Sequence, residues 1–206
     1  MKKLVSILLM MMAVVVIGGC GSSDNASATS SGAAASSSSE SKPSSGKHVL
    51  VAYFSCTGNT KALAETTAKA LDADLFEIVP EQPYTKADLD YNDKSSRSSK
   101  ETEDTKARPA IAKKVQNMSQ YDTIILAYPI WWGEAPRILS TFVESYDFSG
   151  KTIVPICTSG GSDIGASGDH LAALTKGAQW KQGKRFSRDT SADELKSFFG
   201  GIGIGK

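Results

Sequence analysis

The sequence predicts an α/β fold in which a five-stranded parallel sheet is covered by helices on both faces. Three observations predict it. Apolar runs of strand character recur near residues 49, 75, 123, 152 and 180 and alternate with helical segments, the pattern of right-handed βαβ crossovers. The first run, Val49-Leu50-Val51-Ala52-Tyr53-Phe54, is continuously apolar, as a parallel strand buried on both faces requires. Residues 47–206 hold 20 basic and 20 acidic side chains, a neutral stretch of 160 residues that suits one domain.

Each element has its own warrant. Lys61 to Leu71 reads as a helix with Leu63, Ala64, Ala68 and Leu71 on one face. Leu75 to Val79 is a strand, placed at a sheet edge because Glu77 interrupts it. Glu81 to Arg108 is a 28-residue insertion with 13 charged side chains, the kind of loop that either covers a site or stays disordered. Pro109 is expected to open a short helix through Val115, and Thr123 to Tyr128 forms the third strand. Pro136, suited to a first helical position, starts a helix through Ser145. Thr152 to Cys157 is the fourth strand, although Pro155 removes one ladder donor. Asp169 to Gly177 reads as a helix and Gln179 to Phe186 as a short fifth strand. Ser191 with Glu194 makes a capping box for a last helix faced by Phe198 and Phe199 and stopped by Gly200. The stretch from Gly200 to Gly205 resembles a dinucleotide loop only superficially, since it follows a helix and leads into no element, and is read as a flexible tail.

The segment upstream of the domain has a different character. Met1, Lys2 and Lys3 precede a 14-residue run from Leu4 to Ile17 that is apolar except for Ser6, shorter than the roughly 20 residues of a membrane span. Residues 1–19 are therefore read as a secretory signal. Ile17-Gly18-Gly19-Cys20 resembles the lipobox of bacterial lipoproteins, which implies lipid attachment at Cys20 and anchoring by lipid alone. In residues 21–46, 20 of 26 positions are Ser, Ala or Gly, so 20–46 reads as a lipidated cysteine with a tether of about 28 Å root-mean-square span. The expected location is the bacterial cell envelope, on the extracytoplasmic face of a membrane.

Composition excludes other classes. A net charge of +1 gives no field for nucleic acid, and three Cys with two His supply too few ligands for a dedicated zinc or iron–sulfur site. Ligands of open parallel sheets bind beyond the carboxyl ends of the strands, which directs attention to the segments after strands one, three and four. Ser55-Cys56-Thr57-Gly58-Asn59-Thr60 combines hydroxyls, a permissive glycine and a helix N-terminus, a combination that receives phosphate. It lacks the GK[ST] ending of a Walker loop, and Ala62 stands where a tyrosine-phosphatase loop would need Arg. Cys56 sits where a thiolate would be favoured, but no base can be placed beside it and no catalytic residue is assigned.

Ser55-x-Thr57-Gly58-x-Thr60 directly after the first strand resembles the FMN-phosphate loop of flavodoxins. Tyr128-Pro129-Ile130-Trp131-Trp132-Gly133, with Glu134-Ala135-Pro136 and Thr141-Phe142, is similar to the third-strand loop of a bacterial flavodoxin-like family. Thr158-Ser159-Gly160-Gly161-Ser162 resembles the final flavin loop. The resemblance spans residues 48 to about 200 and implies a three-layer flavodoxin-like sandwich of strand order 2-1-3-4-5, with FMN as cofactor. In that order strand three separates Cys56 from Cys157 by roughly two strand spacings of 4.8 Å, so two free cysteines are expected.

The implied roles follow the loops. The first loop would hold the phosphate, and Trp131 or Trp132 would offer a flat face to the isoalloxazine ring, one stacking while its neighbour packs elsewhere. Of the two, Trp131 is expected to stack. Gly160 and Gly161 would let backbone N–H groups approach the ring, with Ser159 or Ser162 bonding its edge. Tyr84, Tyr91 and Arg97 are the insertion residues expected near the flavin. Many flavodoxins place a Tyr in the last loop, whereas Thr158 to Leu171 contains no aromatic residue. The expected function is electron transfer by a membrane-anchored FMN protein to a redox partner protein or small acceptor. The alternatives are an FMN-dependent reductase of a quinone or similar molecule, and a non-redox lipoprotein that binds a phosphorylated ligand.

Overall fold

A computed structural model describes residues 48–205. The signal segment, Cys20 and the tether lie outside these residues. The elements are β1 (Val49–Tyr53), α1 (Asn59–Leu71), β2 (Asp74–Glu77), α2 (Arg97–Glu103), β3 (Thr123–Pro129), α3 (Arg137–Glu144), β4 (Thr152–Thr158), α4 (Ser167–Ala172), β5 (Gln179–Trp180), β6 (Lys184–Arg185) and α5 (Ala192–Gly201).

All pairings between these strands are parallel, in the order β2-β1-β3-β4-β5, with β6 also on β4. This is the predicted order, with the fifth position filled by two short pieces. Strand periodicity divides the core into two layers. Leu50, Ala52, Phe54, Ile124, Leu126 and Tyr128 face Ile138, Leu139 and Phe142 of α3, while Val51, Tyr53, Ile125, Ala127, Val154 and Ile156 face α1 and α5 through Leu63, Ala64, Leu195 and Phe199.

Pro155 explains the broken fifth strand. Lys181 donates to Ile153 O and Phe186 to Cys157 O, while the edge between them passes the proline. Gly183 fills that gap, because a Cβ there would lie 2.5 Å from Pro155 O and 2.7 Å from Pro155 Cγ. The chain can follow β4 past its missing donor only where no side chain intervenes.

Three local expectations require correction. Residues 109–115 form no helix; Ile111 bridges antiparallel to Pro80, with Glu81 donating to Ala110 O and Ala112 to Val79 O. That pairing joins the two ends of the insertion. The helix expected over 169–177 ends at Ala172 and is followed by turns. Nor is the glycine-rich end a loose tail: Ile204 is buried against the α1–α5 layer and donates to Phe199 O at 2.8 Å. The alternating Ile202 and Ile204 supply the apolar surface that the glycine count obscured. Ser191 caps α5 as expected by accepting from Glu194 N.

Gly183→Ala should lower stability by about 1–3 kcal/mol, since Pro155 backbone must move to admit the methyl group. Urea unfolding should show a lower midpoint with an unchanged m value; an unchanged midpoint would contradict this account of the β5–β6 break.

Candidate functional site

The loops after β1, β3 and β4 meet at one end of the sheet and enclose a cavity of about 420 Å³. Its lining runs from Ser55, Cys56, Thr57, Asn59 and Thr60 past Thr158, Ser159 and Gly160 to Pro129, Ile130 and Trp131. Leu89 and Tyr91 add a wall from the insertion, and Arg185, Phe186, Ser187 and Arg188 add another from the segment after the last strand. Gly58, Trp132, Gly133, Gly161 and Ser162 belong to the same loops but do not line the cavity.

The first loop ends in a bare helix terminus. Gly58, at a φ of 85°, precedes α1, which has no side-chain cap and no acidic residue in its first turn. Gly58 N donates to Ser55 Oγ at 3.1 Å, and Ala62 N takes Gly58 O as the first intrahelical acceptor. The N–H groups of Asn59, Thr60 and Lys61 are therefore those a helix leaves without an internal partner, and they attract an anion. Thr60 Oγ1 and Thr158 Oγ1 share a buried hydrogen bond of 2.8 Å, which ties this loop to the end of β4. A pair of hydroxyls that shares one hydrogen bond keeps one proton available to a ligand.

The two tryptophans part at a tight turn. Trp131 and Glu134 exchange backbone hydrogen bonds of 2.9 Å in both directions, with Trp132 and Gly133 between them at φ values of 53° and 82°. Two consecutive positive φ angles are the signature of a type I′ hairpin turn. As a result Trp131 is only 3 % exposed, whereas Trp132 is 47 % exposed. Trp131 packs edge-on against Phe54 and Tyr84, with ring centroids 5.5 and 5.2 Å away. Trp132 lies 5.2 Å from Tyr91, the insertion ring that lines the cavity.

The insertion is folded over this end of the sheet. Arg137 on α3 donates to Glu101 O and Thr102 O, satisfying carbonyls in the last turn of α2. Arg108 makes a two-pronged contact with Glu144 at 2.6 and 2.9 Å. Tyr84 and Arg97, expected near the ligand, instead form a supporting cluster: Arg97 stacks 3.9 Å from the Tyr84 ring centroid, and both bond Glu101. Neither lines the cavity; Tyr91 and Leu89 do.

Arg185 and Arg188 are the residues that sequence reasoning missed. Arg185 donates to Ser159 Oγ at 2.9 Å, and Arg188 to Asn59 Oδ1 at 3.2 Å. The available signal was the basic run from Lys181 to Arg188, which overlaps the predicted fifth strand and continues past its carboxyl end. Cys56 and Cys157 are both free.

Cys56 lines the cavity, yet burial pushes its thiol up to about 12; Arg97 opposes this shift and Glu101 adds to it. Burial outweighs the favourable helix terminus, so the thiolate fraction at pH 8 is on the order of 10⁻⁴. Iodoacetamide should label Cys56 far more slowly in the native protein than in the unfolded one, at a rate still rising at pH 10. A labelling rate that levels off near pH 7 would contradict this.

The family model described as Flavodoxin matches residues 48–202. A crystal structure of a Bacteroides eggerthii protein, provisionally described as a flavoprotein, is 45% identical; the match covers 77% of this chain and 99% of that one, with a TM-score of 0.74. One from Bacteroides uniformis, described in the same way, is 44% identical over 75% and 99%, with a TM-score of 0.71. A Lactobacillus acidophilus flavoprotein solved in complex with FMN shares the fold at 23% identity, over 73% and 99%, with a TM-score of 0.57. No curated protein matches the chain. The matched span takes in every strand and all three loops around the cavity, and the chain belongs to the flavodoxin family.

Proposed function

We propose that the chain binds FMN in the cavity beyond β1, β3 and β4 and carries electrons between partners at the outer face of a bacterial membrane. The observation that carries this reading is the mixed lining of the cavity. An uncapped helix terminus, the hydroxyls of Ser55, Thr57 and Thr60, and Arg188 supply polar groups. Ile130, Trp131, Leu89 and Tyr91 supply apolar surface. A phosphate joined to a flat apolar ring matches that combination, and the size suits a small-molecule cofactor. Family membership and the FMN in the Lactobacillus relative agree with it.

When bound, FMN supplies reversible electron uptake; the protein supplies position and exclusion of water. Trp131 lines the cavity but is almost wholly buried against Phe54 and Tyr84, so the exposed Trp132–Tyr91 pair beside it offers the accessible aromatic surface. Of the residues expected at the ring edge, Ser159 and Gly160 line the cavity, and the Gly160 N–H is the candidate donor there, since the Ser159 hydroxyl donates to Ser162 O and accepts from Gly161 N and Arg185 Nε. The anchor reading rests on the charged start, the short apolar run and Ile17-Gly18-Gly19-Cys20. A reductase acting on a quinone or other small acceptor is the second reading, favoured by the lack of an aromatic residue from Thr158 to Leu171. Steady-state turnover with NAD(P)H and a quinone separates the two: a carrier turns over negligibly without a partner protein, and an enzyme does not need one.

Thr57→Val should weaken FMN by about 1.5 kcal/mol or more while leaving riboflavin affinity unchanged, since it removes a donor to the charged phosphate alone. Fluorescence titration with each ligand reads this directly, and equal loss for both would reject the phosphate assignment. Cys20→Ser should move the protein out of the membrane fraction or block its processing, without altering FMN affinity. An unmodified Cys20 in the mass spectrum of the wild-type protein would overturn the lipid anchor.

A further inference from the structure

Two guanidinium groups reach the cavity from a segment outside all three of its loops. Arg185 donates from Nε to Ser159 Oγ at 2.9 Å and from Nη2 to Ser159 O at 3.3 Å. Arg188 donates from Nη1 to Asn59 Oδ1 at 3.2 Å, at the first residue of α1, and its Nε lies 3.3 Å from Asp189 Oδ1. Asp189 lies outside the lining, which contains no Asp or Glu. These contacts leave other guanidinium N–H groups free, since Arg has five donors.

The charges define the ligand that fits. A phosphate monoester carries about −1.5 to −2 at pH 7, and a helix N-terminus offers roughly half a positive charge. Hydroxyls and one helix terminus leave most of that charge unbalanced, whereas two guanidinium groups offset it. A neutral ribityl chain gives the arginines nothing comparable to bind.

We propose that Arg185 and Arg188 form a cationic arm that binds the phosphate dianion of the cofactor jointly with the α1 N-terminus and makes the cavity selective for a phosphorylated flavin over riboflavin. The inference rests on the flavin reading above. Arg188 has the larger share, because it is held at the residue that opens α1. Arg185 acts from β6 and steadies Ser159 of the loop after β4 while doing so.

The test is fluorescence titration of the full-length protein with FMN and with riboflavin, at low and high salt. Its variants are Arg188→Gln, Arg185→Gln and the double substitution. Arg188→Gln should weaken FMN on the order of tenfold, and the double variant more, with riboflavin unchanged. The loss of FMN affinity with added salt should flatten in the double variant, and Arg188→Lys should retain it, because the charge remains. Unaltered FMN affinity in the double variant, or equal loss for FMN and riboflavin, would overturn the arm while leaving the flavin reading intact. Wild-type protein that binds neither ligand would instead reject the flavin reading and the arm with it.

Discussion

Parallel pairing of β1, β3 and β4 brings their carboxyl ends to one edge of the sheet, so the loops after Tyr53, Pro129 and Thr158 converge. The register is held by strands buried on both faces, where a slip by one residue would exchange the two core layers. On that frame a single buried hydrogen bond, Thr60 to Thr158, closes the gap between the first loop and the end of β4. Without the shared edge there would be no common floor for a ligand. Without the threonine pair the two sides of that floor could separate.

The insertion adds a wall to this frame and is itself heavily tied. Its ends are joined by the Pro80–Ile111 bridge, its helix is capped by Arg137, and Arg108 fixes it to Glu144. Tyr84 then settles on Phe54 and Trp131, which keeps Trp131 turned inward and leaves Tyr91 at the cavity. Burial under this wall keeps the Cys56 thiol protonated, with Arg97 opposing that effect and Glu101 adding to it. Residues that resemble ligand contacts in the sequence thus serve the wall.

Strand order, the two core layers and the three loops were legible because apolar periodicity and turn residues act locally. What escaped detection depends on contacts distant in sequence. Residues 109–115 looked helical beside Pro109, but pairing with residues 79–81 pulls them straight. Gly200 to Gly205 looked loose, yet two isoleucines spaced two apart dock it on α1 and α5. Arg185 and Arg188 carried only a charge signal, and their place at Ser159 and Asn59 appears once the last strand is laid beside β4. The divergence of Trp131 and Trp132 was expected from strand alternation, whereas the structure produces it through a type I′ turn that holds Trp132 as well as Gly133 at positive φ.

The central claim is that one cavity, bounded by the β1 and β4 loops, receives FMN. Backbone amide NMR of labelled protein with and without FMN tests it most directly. The account predicts large shifts at Asn59 and Thr60 on one side and at Ser159 to Gly161 on the other, with little change at the separate cleft beside Glu134 and His170. Shifts centred on that cleft, with the first loop unmoved, would contradict it.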